Sequence, residues 1–430
     1  MSKKILMILA SLFTAVSMSA QVNVEVEETD DEDELMVTDQ TGNEEVIEFP
    51  EAMTYDLDSL LNLYMSKTYL DNDECNMQNV NPVYSKEEYV ERLSRIPTVM
   101  EMAYNEVVQK FIDRYTSRLR HSVSYLLGAS NFYIPIFEEA LEAYQLPLEL
   151  KYLPIIESAL NPKAVSRAGA AGLWQFMIGT AKQYGLQVNS LVDERRDPVK
   201  SSNAAARYLS DLYHIFGDWN LVIAAYNCGP ENINKAIRRA GGDNKDYWHI
   251  YPYLPRETRG YVPAFIAANY IMTYYSLHNI CPMSTRLPAK SDTVMVNRNV
   301  HLEQVAEVVG INIDLLRSLN TMYRRDVIPG NSEPYALRLP LTEVSKFIDL
   351  QDSVYNYKTD ELFNKRKEVD VNDDVPTYYH KHKRHYRKGR ARYSRHKGSR
   401  VGRHKGSRVG RNRSGAKRRS SARKRSRRRR

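Results

Sequence analysis

Cysteine is scarce in this chain of 430 residues, with only Cys75, Cys228 and Cys281. There is no CxxC pair and no Cys/His cluster at metal-ligand spacing, so zinc and dithiol redox chemistry have no ligand set. His380, His382 and His385 stand close together, but among Lys and Arg whose charge opposes a bound cation. We expect no metal and no cofactor. Long apolar runs are also missing. The run from Ile5 to about Val16 falls short of the roughly 20 residues needed to span a bilayer, and no later stretch is apolar enough. Acidic residues disappear from Lys381 onward, where 25 Lys or Arg stand without one Asp or Glu. The body before that point holds 36 basic against 53 acidic side chains, so the overall +8 describes neither half.

What is present at the N-terminus is an export signal. Lys3 and Lys4 precede the apolar run, and Ser17, Ser19 and Ala20 supply small residues for cleavage after Ser19 or Ala20. Charged, apolar, then small is the order of a secretory signal peptide, here 1–20. No Cys follows to take a lipid. An exported chain with three cysteines keeps at least one thiol unpaired. Residues 21–50, with Asp30-Asp31-Glu32-Asp33-Glu34, read as a solvated, disordered acidic leader. Residues 51–130 read as helical, with Val107, Val108, Phe111, Ile112 and Tyr115 at 3–4 spacing and breaks at Pro82 and Pro97. No function attaches to them.

Residues 131–285 read as helices joined by short polar turns. Asp197 is a good N-cap and Pro198 suits the first helical position. Ala206, Leu209, Leu212, Tyr213 and Phe216 mark an apolar face that Gly217 terminates. Asp218 is placed to cap the next helix, through Ala225. Between 292 and 341 the pattern becomes βααβ: Thr293–Val296, a helix ended by Gly310, a second through Leu319, and Ala336–Leu339. From about Leu341 a short polar helix and a mixed-charge stretch, together a linker over 342–375, lead to a basic tail, 376–430, in which RHKGSRVG occurs twice in tandem. Such low-complexity sequence forms no core. Its charge would draw it to anionic wall polymers or lipid headgroups, and it has too few aromatics for base-specific nucleic-acid recognition.

The chemistry concentrates in Tyr152–Gly185. Glu157 follows Leu153, Pro154, Ile155 and Ile156, so a helix would carry its carboxyl out of an apolar stretch. Lost hydration raises a carboxyl pKa and keeps it protonated near neutrality, as proton donation to a glycosidic oxygen requires. Glu157-Ser158, then Ser166, Gly169-Ala170-Ala171-Gly172-Leu173 and Gln175 resemble the lytic transglycosylases of bacterial cell walls. Ala225-Tyr226-Asn227 and Leu254–Pro263 (LPRETRGYVP) continue the resemblance, closest to the membrane-bound type D subgroup. Three ordered motifs over roughly 110 residues make chance agreement improbable.

The resemblance implies a lysozyme-like α-helical domain and peptidoglycan glycan strands as substrate. It implies that Glu157 first protonates the leaving oxygen and then acts as base, while the muramic acid 6-hydroxyl closes a 1,6-anhydro ring. Ser166 and Gln175 would bind the substrate N-acetyl group or lie beside Glu157, and Tyr226 would bond near both. Trp174, where many relatives have Met, would bind substrate and reshape a subsite. Asn227 would hold local backbone or touch substrate. Cys228, at a position commonly Ala, is expected to be a buried small residue and not a nucleophile. A water-using muramidase would need a second carboxylate, for which Asp193, Glu194 and Asp197 are candidates. A wall-binding protein without catalysis is the other alternative. The βααβ stretch resembles a LysM glycan-binding module, with Arg298-Asn299 where a Gly-Asp turn is usual and Tyr323–Asp326 as an apparent insertion. The fold class is thus mainly α, with a small βααβ module.

Overall fold

The computed structural model describes residues 34–38, 44–55, 80–242 and 246–363. The expected signal peptide, 1–20, and the basic tail, 376–430, lie outside the described residues. Among the described residues no helix is long and apolar enough to cross a membrane.

The chain is mainly helical. The central helix α1, Arg120–Ala143, is held by apolar residues such as Val123, Tyr133 and Phe137. Helix α2, Leu153–Ser158, carries Glu157. Helix α3, Pro198–Phe216, starts and stops as the sequence indicates. Asp197 accepts the Lys200 amide proton at its N-terminus, and Gly217 takes the left-handed conformation at its end. Tyr213 departs from the expected apolar face: it is exposed and stacks on Trp219, with ring centroids 4.2 Å apart. Helix α4, Trp219–Cys228, is capped by Asp218. Helix α5, Tyr261–Tyr274, is apolar on all sides and runs through the core. It packs on Glu106–Thr116, whose Val107, Val108, Phe111, Ile112 and Tyr115 are all buried.

Two expectations need correction. Part of the acidic leader is structured: Glu34–Thr38 (β1) and Glu44–Glu48 (β2) pair antiparallel, with Leu35 opposite Ile47 and both buried. The run is acidic, yet Leu35 and Ile47 supply an apolar cross-strand pair that is buried. Residues Glu51–Thr54 then form a short helical turn that packs on α2. Gly260 makes this docking possible, because a Cβ there would lie 2.6 Å from the Glu48 carbonyl oxygen.

The second correction concerns the supposed linker after residue 341. Val344–Asp349 and Gln351–Asn356 are helices that bury Phe347, Val354 and Tyr355 in the core of the small module. The module holds two antiparallel pairs, Ser291–Val296 (β3) with Tyr335–Pro340 (β6) and Asn299–His301 (β4) with Val327–Pro329 (β5). The β4–β5 ribbon was not legible, since three-residue strands are too short to show alternation. Between them lie the helices Leu302–Val309 and Ile313–Leu319. Cys281 is disulfide-bonded and Cys228 keeps a free thiol.

Candidate active site

Glu157 occupies the last turn of α2, a helix too short to persist alone. Ser158, its neighbour, fixes the helix end. The Ser158 hydroxyl lies 2.9 Å from both the Pro154 and the Leu173 carbonyl oxygens. Ala159 and Leu160 then take left-handed backbone, with φ of 49° and 56°. Non-glycine residues in this region cost free energy and gather at functional sites. This double bend lets the chain leave α2 abruptly, so Glu157 stands at an edge facing a cavity of about 370 Å³.

The opposite wall is the turn from Ala164 to Phe176. The Ser166 Oγ accepts the Ala170 amide proton at 3.0 Å. Gln175, with φ of 47°, donates its amide to the carbonyls of Gly172 at 2.7 Å and Ala164 at 3.3 Å. Gly172 has φ of 87°, and a Cβ on it would stand 1.8 Å from the Arg195 carbonyl oxygen, so only glycine fits. Ser166 and Gln175 both line the cavity with Glu157.

Helix α4 brings Tyr226 and Asn227. The Tyr226 hydroxyl donates to the Trp174 carbonyl at 2.8 Å, and Asn227 Oδ1 accepts from Thr258 Oγ1 at 2.9 Å. Both line the cavity. Trp174 does not. Its ring is buried against Phe137 and its indole N–H donates to Ser202 at 2.8 Å, so it shapes the site from behind. The expected subsite contact by its side chain is corrected accordingly. Cys228 lines the cavity with its thiol pushed up to about 11 by burial, so it is protonated near neutrality and unsuited to attack.

Burial pushes the Glu157 carboxyl up to about 8, against the lowering effect of a hydrogen bond donated by the Tyr261 hydroxyl to Oε1. The charge of Glu257 raises it further. A carboxyl held in this way is protonated at pH 7 and able to act as an acid. Tyr261, Glu257 and Glu51 went unassigned in the sequence, although all three line the cavity. Tyr261 and Glu257 stand within the LPRETRGYVP motif and were visible as sequence without a role. Glu51 opens the 51–130 region, just after the leader, where nothing signalled it. Its carboxyl is raised by burial and lowered by Arg167, 3.9 Å away.

The three carboxylates considered as second catalytic groups are employed elsewhere. Asp193 is buried in an ion pair with Arg195 and Arg324, Glu194 pairs with Lys200, and Asp197 caps α3. None of them lines the cavity.

Residues 135–249 match the family model described as transglycosylase SLT domain, and residues 290–356 match that of the LysM-like domain of lytic transglycosylase MltD. The membrane-bound lytic murein transglycosylase D of Escherichia coli K12 is 36% identical over 200 residues, which cover 45% of this chain and 43% of that protein. The soluble lytic murein transglycosylase of the same strain is 34% identical over 126 residues, covering 28% of this chain and 19% of its own. The solved 70 kDa soluble lytic transglycosylase of Escherichia coli aligns over 33% of this chain and 24% of its own at 30% identity, with a TM-score of 0.29. The chain thus spans less than half the length of these relatives.

Proposed function

We infer that this chain, which carries a transglycosylase SLT domain and a LysM-like domain of the lytic transglycosylase D kind, is a peptidoglycan lytic transglycosylase. It would cut the β-1,4 bond between N-acetylmuramic acid and N-acetylglucosamine, leave 1,6-anhydromuramic ends, and so serve wall remodelling or turnover. The observation that carries this reading is the placement of Glu157, bonded by Tyr261 on the wall of a cavity of about 370 Å³ that Ser166, Gln175, Tyr226 and Asn227 also line, with burial raising its carboxyl pKa.

The proton cycle follows from the geometry. Tyr261 donates to Oε1, which leaves Oε2 to carry the acid proton. That proton passes to the glycosidic oxygen as the bond to the anomeric carbon breaks. The carboxylate left behind is poorly hydrated and feels the charge of Glu257, so it is a stronger base than a solvated one. It takes the proton of the muramic acid 6-hydroxyl as that oxygen attacks the anomeric carbon. Glu157 regains its proton and no water is consumed. The tethered hydroxyl supplies the high effective molarity of an intramolecular reaction.

Ser166 and Gln175 are proposed to meet the substrate N-acetyl group, with Asn227 and the ring of Tyr226 forming the facing wall. Glu51 and Glu257 favour a second, hydrolytic reading, since they put further carboxylates in the same cavity. Burial raises the pKa of both, and neither is hydrogen-bonded to Tyr261 as Glu157 is. We assign 131–285 to catalysis and 290–356 to glycan holding. Export to the cell envelope rests on residues 1–20, and adhesion to anionic polymers rests on the composition of 376–430. The test is to incubate the chain with purified sacculi beside Glu157→Gln. Release of soluble muropeptides by the first and not by the second is expected, and equal release would remove Glu157 from the mechanism.

A further inference from the structure

The segment Tyr323–Asp326, which interrupts the LysM-like pattern, is where the module grips the catalytic domain. Asp193 donates its amide to the Met322 carbonyl and Arg324 its amide to the Leu191 carbonyl, each at 2.8 Å. Val192 and Tyr323 thereby pair as an antiparallel bridge. The Val192 side chain is fully buried, not in its own domain but among the core residues of the module. The Thr321 hydroxyl donates to the Arg196 carbonyl at 2.6 Å.

This contact delivers a charge. The Arg324 guanidinium donates to Asp193 Oδ2 at 2.8 Å. Arg195 takes the same carboxylate from the other side, through Nε to Oδ1 at 2.9 Å and Nη2 to Oδ2 at 2.8 Å. All three side chains are buried. The remaining Nη1 of Arg195 donates to the carbonyls of Gly169 at 3.0 Å and Phe176 at 3.2 Å. Those carbonyls belong to the turn that presents Ser166 and Gln175 to the cavity. Gly169 adjoins Ala170, whose amide binds Ser166, and Phe176 follows Gln175 directly.

We propose that Arg324 of the LysM-like module is a positioning residue for the active site, acting through Asp193 and Arg195 to hold the 166–176 turn opposite Glu157. The proposal rests on the reading of this cavity as the catalytic site. A guanidinium has donors only, and its plane is set by the acceptors around it. Asp193 sets the plane of Arg195, and Arg324 supplies part of the positive charge that keeps Asp193 ionised while buried. Burial works to raise the Asp193 carboxyl, but Arg195, Arg196 and Arg324 together hold it below the usual carboxylate range. Without the Arg324 guanidinium, the loop 187–197 keeps its backbone bridge to Tyr323 but loses a buried counter-charge, and the donor to Gly169 and Phe176 loses part of its anchor. Supporting residues of this kind decide whether a site is held tightly enough to act. A module serving only to adhere would be expected on an exposed tether with few crossing contacts. Here an apolar plug, a backbone bridge and a buried charge cross together.

The experiment uses the full chain with Arg324→Ala and Arg324→Lys. Hydrogen exchange is measured peptide by peptide, and cleavage is measured on a short soluble glycan too small to reach both domains. In Arg324→Ala, amides of 166–176 are expected to exchange at least about tenfold faster while those of 261–274 stay unchanged. The kcat/KM on the short glycan is expected to fall about tenfold or more, since small misplacements are costly in catalysis, while pelleting with sacculi is retained. Arg324→Lys should recover part of both effects. Unchanged exchange in 166–176 overturns the proposal, as does a uniform rise over the whole chain, which would mean a merely structural role. Faster exchange with an unaltered rate overturns it too. If the unsubstituted chain cleaves no glycan, the catalytic reading fails, and the exchange result still decides whether Arg324 holds the turn.

Discussion

The hydroxyl of Tyr261 donates a hydrogen bond to Oε1 of Glu157, across 104 residues of sequence. It brings the N-terminus of the apolar helix Tyr261–Tyr274 against the end of Leu153–Ser158 and fixes which carboxyl oxygen is left to carry a proton. Burial raises the Glu157 pKa and this bond lowers it, and burial prevails.

Tyr261→Phe therefore has two separable effects. The rate should fall about 10- to 100-fold through loss of orientation. The alkaline limb of the pH profile should move upward, because the bond that stabilises the carboxylate is gone. Rates measured over a pH series check both. A slower enzyme with an unmoved limb would mean that Tyr261 does not govern the ionisation of Glu157.

For the unsubstituted chain, cleavage is expected to fall as the pH rises through about 8, where Glu157 loses its proton. A pH series at glycan concentrations well below KM reports this directly, because kcat/KM follows the ionisation of the free enzyme. A rate that rises through that window would indicate that the working form of Glu157 is the carboxylate.

Glu157→Gln should abolish cleavage and also stabilise the fold near neutrality. The folded pKa of about 8 lies above the ordinary 4.5. Below 4.5 the carboxyl is protonated in both states and costs nothing. Between 4.5 and 8 the unfolded chain ionises while the folded one does not, so stability declines as pH rises. The melting temperature of Glu157→Gln should thus exceed that of the unsubstituted chain by a margin that widens from pH 5 to 8. Equal melting temperatures across that range would contradict the burial argument.

Much of this was legible in sequence, for physical reasons that differ by residue. Asp197, Pro198 and Gly217 announce their helix because capping is local chemistry. Glu157, Ser166, Gln175, Tyr226 and Asn227 were found through spacing and resemblance, and the fold brings all five to one cavity. Trp174 was misjudged because sequence position beside Gln175 says nothing of side-chain direction, and the left-handed backbone at Gln175 turns the chain between them. Glu51 was invisible because its approach depends on strand Glu44–Glu48 settling over Gly260, a long-range contact with no local signal. The two helices after residue 341 read as one short polar helix within a linker, because each is six residues long and one or two apolar side chains do not reveal a core-facing side.

Gly172→Ala tests the turn itself. It would add a Cβ 1.8 Å from the Arg195 carbonyl oxygen at a φ of 87°. A loss of roughly 3 kcal/mol or more is expected, from strain and displacement together. Chemical denaturation checks it, and a loss below about 1 kcal/mol would show that the turn and the Arg195 backbone are not tightly opposed.

The central claim concerns what Glu157 does with its proton after the bond breaks, and the mass of the released ends answers it. Sacculi digested by the full chain should yield muropeptides ending in 1,6-anhydromuramic acid, about 18 Da lighter than hydrolysed ends because an internal hydroxyl takes the place of water. Ends carrying the mass of water would contradict the account and turn attention to Glu51 and Glu257 as the second carboxylate.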